Sequence, residues 1–163
     1  MMKVIKNNTV VNDAWQLVDD GAELPAGDVI VSLGRWQQER DALLARDGQV
    51  GVALTGDQDP AALADDLDQL PLIGLLFPKF TDGRNYSSAR LLRERFGYKG
   101  ELRALGNVLR DQLFYMQRCG IDAFALAEGR DADAALQSLR DFSKVYQDTG
   151  DSATPVWRLR GAV

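Results

Sequence analysis

Five short apolar segments that alternate with helical patterns constrain the fold of this chain more than any other feature. They lie at residues 28–33, 50–54, 72–77, 101–105 and 122–126. Each is followed by a segment in which apolar residues recur at helical spacing, and this alternation is typical of successive βα units. Strands joined by such crossovers run parallel, and helices cover the sheet that they form. The sequence therefore predicts an α/β fold of about five βα units with a mostly parallel sheet, either an open three-layer sheet or an incomplete barrel.

The rest of the chain is assigned to the same domain, residues 1–163, because this length suits a single hydrophobic core. Residues 1–20 predict a small N-terminal β unit, in which a hairpin turns at Asn7 and Asn8 and residues 15–18 extend it. Residues 28–146 hold the βα units. Residues 147–163 are a tail in which 156–160 have the pattern of a short edge strand.

The residue inventory excludes several kinds of catalytic centre. The chain contains no histidine and a single cysteine. It therefore cannot form a Ser-His-Asp triad, a zinc site of histidines or of four cysteines, or an iron–sulfur cluster. We predict no metal site of these kinds, although carboxylates suited to Mg²⁺ or Ca²⁺ remain. The glycines form neither a GxGxxG nor a Walker pattern, and the sequence identifies no cofactor.

Charge and hydropathy restrict the partners of this chain. The net charge of −5 disfavours broad nucleic-acid binding. No apolar run approaches the roughly 18 residues needed to cross a bilayer. The N-terminus lacks the apolar block and the cleavage site of a signal peptide. We therefore predict a cytoplasmic protein with no membrane partner, and the single cysteine agrees with a reducing compartment.

A basic segment, residues 78–122, stands out in this acidic chain. It holds nine Lys/Arg against five Asp/Glu, whereas the other residues hold ten against nineteen. Ligands of parallel α/β folds bind at the carboxyl ends of the strands, where loops lead into helices. Arginines that follow different strands would meet there, so we expect them to bind a small anion, helped by N–H groups at the helix starts near Ser87 and Asn107. The predicted binding residues are Arg35, Lys79, Asp82, Arg84, Tyr86, Arg103, Asn107 and Arg130.

Two of these residues, Arg84 and Tyr86, are also the candidate catalytic residues. Their neighbours have structural explanations, since Asp82 belongs to a turn and Ser87 suits the N-cap of the next helix. A guanidinium beside the phenol would lower the pKa of Tyr86 and make it a proton donor.

The alternative is that the arginines pair with nearby carboxylates and have no further function, since exposed ion pairs are common on protein surfaces. Glu101 and Arg103 alternate on one face of a predicted strand, where unpaired charges would be costly. Either they belong to a paired network, for which Asp111 is a candidate partner, or this face lines a cavity.

The basic segment resembles a known family. The run TDGRNYSSARLLRERFGYKGELRAL, within residues 77–124, is similar to the signature of a bacterial domain of unknown function of about this length. Members of that family are typically encoded beside assimilatory sulfite reductase genes and are often named oxidoreductases of sulfite reduction. The positions that match its motif are Asp82, Gly83, Arg84, Tyr86, Ser87, Arg90, Arg93, Glu101, Arg103, Asp111, Gln112, Arg118, Gly120 and Asp122.

The resemblance implies a role in sulfur assimilation, with sulfite reductase as a partner, and it transfers no catalytic residue. Without histidine or clustered cysteines, the chain cannot itself ligate the sirohaem and iron–sulfur centre of such a reductase. Three hypotheses follow. The protein is an accessory protein that binds an anion, a cofactor or the reductase at its arginine-rich edge, an enzyme that acts on a sulfur oxyanion or a phosphorylated substrate, or a structural or regulatory subunit.

Overall fold

A computed structural model describes residues 2–78, 83–126 and 131–140. The strands are Met2–Lys6 (β1), Thr9–Asp13 (β2), Gln16–Leu17 (β3), Val29–Ser32 (β4), Val50–Leu54 (β5), Leu72–Phe77 (β6), Glu101–Gly106 (β7) and Ala123–Ala125 (β8). The α-helices are Leu33–Ala45 (α1), Arg84–Arg90 (α2), Leu113–Arg118 (α3) and Ala132–Arg140 (α4). A π-helical turn, Leu91–Arg95, continues α2, and three short 3₁₀ turns span Pro60–Leu63, Leu67–Gln69 and Arg110–Gln112.

The strands of the described residues form one mixed sheet in the order β2-β1-β8-β7-β6-β5-β4-β3. From β3 to β8 every neighbouring pair is parallel, whereas β1 runs antiparallel to both β2 and β8. The two edge strands, β2 and β3, are joined by residues 14 and 15 alone, a link that spans at most about 11 Å. The sheet must therefore curl until its edges approach each other. It is a curled open sheet, a half-barrel, and not the three-layer alternative.

The two faces of this half-barrel differ in what covers them. Apolar side chains of α1, α2, α3 and α4, among them Trp36 and Met116, pack with the outer face of the strands. The inner face carries a separate cluster to which, in the described part of the chain, no helix contributes, and several of its residues are small, such as Ala53 and Ala123. Small inward residues suit a curled sheet because they leave room for the opposite wall.

Two sequence predictions about the strands and crossovers are wrong. Residues 15–18 do not extend the hairpin, because β3 pairs in parallel with β4 at the opposite edge of the sheet. The crossover from β5 to β6 contains two 3₁₀ turns in place of the predicted helix, so the chain is not a plain series of five βα units. Asp65, Asp66 and Asp68 lower the helix propensity of this segment, although Leu63 and Leu70 are buried.

Other local predictions are confirmed or shifted. The hairpin turns at Asn7 and Asn8, which both have positive φ, 51° and 58°. Helix α2 begins at Arg84, so Ser87, the predicted N-cap, lies inside the helix. The predicted end of the last helix and the tail strand at 156–160 lie outside the described residues. Among the described helices, none is long and apolar enough to cross a membrane.

Candidate functional site

The interior of the half-barrel contains a cluster of four charged residues, Lys6, Asp13, Glu101 and Arg103, which we call the interior charge cluster. Arg103 is 0 % exposed. Its two terminal nitrogens each donate to one oxygen of Asp13 at 3.0 Å, and its Nε donates to Glu101 at 2.7 Å. Lys6 adds an ion pair with Glu101 at 2.7 Å. The Arg103–Asp13 pair links β7 to β2 across two intervening strands, which the curl of the sheet makes possible.

The interior charge cluster explains why two charges alternate along β7. Of the two options from the sequence, the paired network is found, but its partner is Asp13 on the N-terminal hairpin and not Asp111, which is exposed. A buried guanidinium that is matched by carboxylates avoids the cost of an isolated buried charge. Arg103 is therefore held away from the carboxyl ends of the strands and is not available there to a ligand.

The carboxylate of Asp13 makes the stability of the protein depend on pH in the acidic range. Burial pushes the pKa of Asp13 upward, but hydrogen bonds from Arg103 and from the Trp15 N–H, and the charges of Arg103 and Lys6, outweigh it. The pKa of Asp13 therefore lies below its ordinary value in the folded protein.

A carboxylate with a lowered folded pKa contributes stability that is complete above the unfolded pKa, about 3.9, and is lost as the pH falls through the folded value. We expect the urea midpoint of the wild type to fall more steeply below about pH 4 than that of Asp13→Asn. Urea unfolding of both proteins from pH 7 to pH 3 checks this, and parallel curves would contradict it.

At the carboxyl end of β4, the predicted anion ligand Arg35 is engaged in local contacts. Its Nε donates to Glu39 at 3.1 Å, and a terminal nitrogen donates to the carbonyl of Asp19 at 3.1 Å. Ser32 caps α1 by accepting from the Arg35 N–H, and its hydroxyl donates to Asp20. Arg35 therefore fits the alternative in which an arginine pairs with its own neighbours.

The carboxyl ends of β5 and β6 are joined by a buried amide, Asn85, that the sequence reasoning missed. Asn85 is 1 % exposed, and its Nδ2 donates to the carbonyls of Leu54 at 3.1 Å and Leu76 at 2.7 Å. The amide cannot be turned round, because its oxygen would then face two carbonyl oxygens. Its Oδ1 is buried and, within the described residues, has no hydrogen-bond partner.

Other polar residues lie near the carboxyl ends of these strands. Arg84, which precedes Asn85, is exposed, and Asn107 follows β7, where its N–H donates to the carbonyl of Phe77 at 2.8 Å. After β5, the hydroxyl of Thr55 donates to Asp57. We call Arg84, Asn85 and Asn107, with the strand ends that they follow, the carboxyl edge. The other predicted binding residues, Lys79, Asp82 and Arg130, lie outside the described residues.

The surroundings of Tyr86 do not suit a catalytic role. Its ring packs against Phe77, with centroids 5.2 Å apart, and against Tyr115 at 4.8 Å. Burial raises the pKa of the Tyr86 phenol, and Cys119 and Tyr115 raise it further. The prediction that Arg84 lowers this pKa is therefore wrong, because desolvation of the ring dominates. Cys119 is a free cysteine and is fully buried.

A cleft at the opposite, amino-terminal end of the sheet has a volume of about 460 Å³ and is lined in part by Asn7, Lys99 and Phe124. Its wall is held by Arg93. The guanidinium of Arg93 donates to the carbonyls of Gly120, Tyr98 and Gly100 and pairs with Asp122 at 3.2 Å. All three of its nitrogens are thereby engaged, so Arg93 supports the loops around the cleft.

Within residues 2–78, 83–126 and 131–140, no group of three or more His, Cys, Asp or Glu residues is arranged to hold a metal ion. Comparison with known protein families gives a match, over residues 51–157, to a family described as bacterial protein of unknown function, DUF934. The chain belongs to this family. A comparison with curated proteins found no match.

The DUF934 match takes in β6, β7, β8 and all but the first residue of β5. It therefore contains the carboxyl edge, with Arg84 and Asn85, whereas the hairpin that supplies Asp13 to Arg103 precedes it. A signal for Asn85 was present in the sequence, since an asparagine lies eight residues after the end of an apolar strand. Its structural role, which is to join the ends of the paired strands β5 and β6, is visible only in the folded sheet.

Proposed function

We propose that this DUF934 protein is an accessory protein of sulfite reduction that binds a small anion at its carboxyl edge. Two features support the binding part of the proposal. The edge has an exposed cation, Arg84, and at the next position of the helix a buried amide whose Oδ1 lacks a partner among the described residues. An unsatisfied buried acceptor costs about 1–3 kcal/mol, a cost that a bound ligand offsets when it supplies a donor.

The unpaired oxygen of Asn85 is the single observation that carries this proposal. Most buried polar atoms in folded proteins have a partner, and an exception requires an explanation, of which a bound ion or water is one. The position also agrees with the general rule that ligands of α/β sheets bind beyond the carboxyl ends of the strands. The link to sulfite reduction comes from the resemblance of residues 77–124 to a family encoded beside sulfite reductase genes.

An accessory role is favoured over an independent enzyme by the residues at this edge. The candidate proton donor, Tyr86, has a raised pKa and a packed ring, so it is a poor acid at neutral pH. The whole chain also lacks histidine, the most frequent general acid–base. Arg84 and Asn85 are binding groups, and neither changes its protonation state near neutral pH.

We expect sulfite or phosphate, added in excess, to raise the midpoint of thermal unfolding by mass action, with about 2.7 kcal/mol of stabilisation at a hundredfold excess over the dissociation constant. Arg84→Ala should remove most of this response. Arg95→Ala is the matched control, because Arg95 is an exposed arginine of the same helical segment that lies away from the strand ends. Differential scanning fluorimetry of the three proteins measures the effect.

An equal response of Arg84→Ala and Arg95→Ala would mean that the anions act on net charge alone, and the proposal would fail. The reductase partner is tested separately by co-purification with sulfite reductase at low and at high salt. A complex that is lost at high salt, and lost with Arg84→Ala at low salt, is expected if the same edge docks the reductase.

A further inference from the structure

We infer that the cleft at the amino-terminal end of the sheet, the amino-terminal cleft, binds an apolar α-amino acid in its zwitterionic form. This inference goes beyond the proposed function, because it concerns the end of the sheet opposite the carboxyl edge. It rests on a cavity that two residues of opposite charge, Lys99 and Asp122, line together.

The size and the lining of the amino-terminal cleft suit a small organic molecule. Its volume of about 460 Å³ lies within the range of roughly 300–1,000 Å³ that is usual for ligand sites. Ile5, Ile121, Phe124 and Leu139 contribute apolar lining. A ligand in this cleft would therefore have an apolar body beside its charged groups.

Lys99 supplies a cation to the cleft. It is exposed, and within the part of the chain that the structure describes it takes part in no ion pair or side-chain hydrogen bond. An ammonium group carries three donors and attracts a carboxylate as a compact charge. Lys99 is therefore available to the carboxylate of a ligand.

Asp122 supplies the opposite charge in a fixed position. Its Oδ1 accepts from the Leu102 N–H at 2.9 Å, and its Oδ2 pairs with Arg93 at 3.2 Å. These two contacts leave further lone pairs on both oxygens, and the side chain of Asp122 remains 54 % exposed. The ammonium group of a ligand can therefore bind this carboxylate while Arg93 holds it in place.

The two charges together define the class of ligand. An inorganic oxyanion would be attracted by Lys99 but repelled by the carboxylate of Asp122, and an amine would be attracted by Asp122 but repelled by Lys99. Only a molecule that carries both charges pairs with both residues. Asn7 and Gln117 also line the cleft, and their side-chain amides add donors and acceptors for such a molecule.

Isothermal titration calorimetry of the wild-type protein tests the inference with L-leucine, L-methionine and L-phenylalanine as probes. The tightest of the three is then compared with two analogues that each lack one charge, which for L-phenylalanine are hydrocinnamate and phenethylamine. We expect the amino acid to bind at least about tenfold more tightly than either analogue, which is the fold-change of one charged hydrogen bond. The analogues test Asp122 without disturbing its ion pair with Arg93.

Lys99→Gln tests whether the amino acid binds in this cleft. It should weaken the binding of the amino acid by about tenfold, because the carboxylate of the ligand loses its partner. Lys3→Gln is the matched control, since Lys3 is an exposed lysine on β1 beyond the carboxyl end of β8, and the change in net charge is the same. It should leave the affinity unchanged.

Each of three results would overturn the inference. Equal binding of the amino acid and of its analogue without the ammonium group would remove the contact with Asp122. Equal affinities of Lys99→Gln and Lys3→Gln would place the bound molecule outside the cleft, and the absence of binding by all three amino acids would leave the cleft without this ligand. None of these results bears on the proposed function, which inorganic anions and Arg84→Ala test separately.

Discussion

Arg103→Met is expected to lower the free energy of unfolding by about 3–5 kcal/mol, the cost of leaving buried charges without their partner. Methionine keeps much of the length and apolar stem of the arginine, so the loss comes mainly from the charges. Asp13 would lose both of its hydrogen bonds from the guanidinium, and Glu101 would lose one. Urea unfolding at pH 7, followed by circular dichroism, measures the change.

A comparison of Arg103→Met with a double mutant shows whether the lost stability comes from the charges or from the packing. Arg103→Met combined with Asp13→Leu removes both buried charges, and it should be more stable than Arg103→Met alone, because an apolar pair of similar volume replaces an ion pair at little cost. Lys6→Met is the milder control, since Lys6 is one-third exposed and should cost about 1 kcal/mol or less. Equal losses in Arg103→Met and Lys6→Met would contradict the role of the interior charge cluster.

Arg93→Ala is expected to cost about 3 kcal/mol, because three backbone carbonyls and one carboxylate lose their donor at once. The carbonyls of Tyr98 and Gly100 belong to one loop and that of Gly120 to another, and this side chain bridges the two loops. Arg93→Lys should recover little, since an ammonium cannot reproduce the planar fork that reaches both loops. The measurement is again urea unfolding.

The matched control for Arg93 is Arg95→Ala, two residues later in the same π-helical turn. Arg95 is exposed and lies over the ring of Phe96 at 5.8 Å, so its removal should change the free energy of unfolding by less than about 1 kcal/mol. If Arg93→Ala is no more destabilising than Arg95→Ala, the four contacts of Arg93 contribute nothing measurable to the amino-terminal cleft.

Much of the sheet could be predicted from local patterns. The strands at 28–33, 50–54, 72–77, 101–105 and 122–126 all form, within a residue or two at their ends, because continuous apolar runs of this length are typical of buried parallel strands. The Asn7-Asn8 hairpin follows from residues that tolerate positive φ. The position of β3 was missed because residues 16–17 are exposed and too short to show a pattern.

The candidate site was less predictable, because a charge in a sequence does not show its partner. The basic surroundings of Arg103 predict a place at the carboxyl edge, yet its partner Asp13 lies ninety residues earlier and reaches it only when the sheet curls. Asn85 gives no sequence signal of its role because it lies in a turn-rich segment. Only the pairing of β5 with β6 shows that its amide spans two strand ends.

The most direct test of the anion site is an NMR titration of the ¹⁵N-labelled protein with inorganic phosphate and, separately, with sulfate. We expect both anions to shift the backbone amides of Arg84 and Asn85 and the side-chain NH₂ of Asn85. The backbone amide signals of Asn7 and Lys99, in the cleft at the other end of the sheet, should not shift. Shifts confined to Asn7 and Lys99, or the absence of any shift at Asn85, would contradict an anion site at the carboxyl edge.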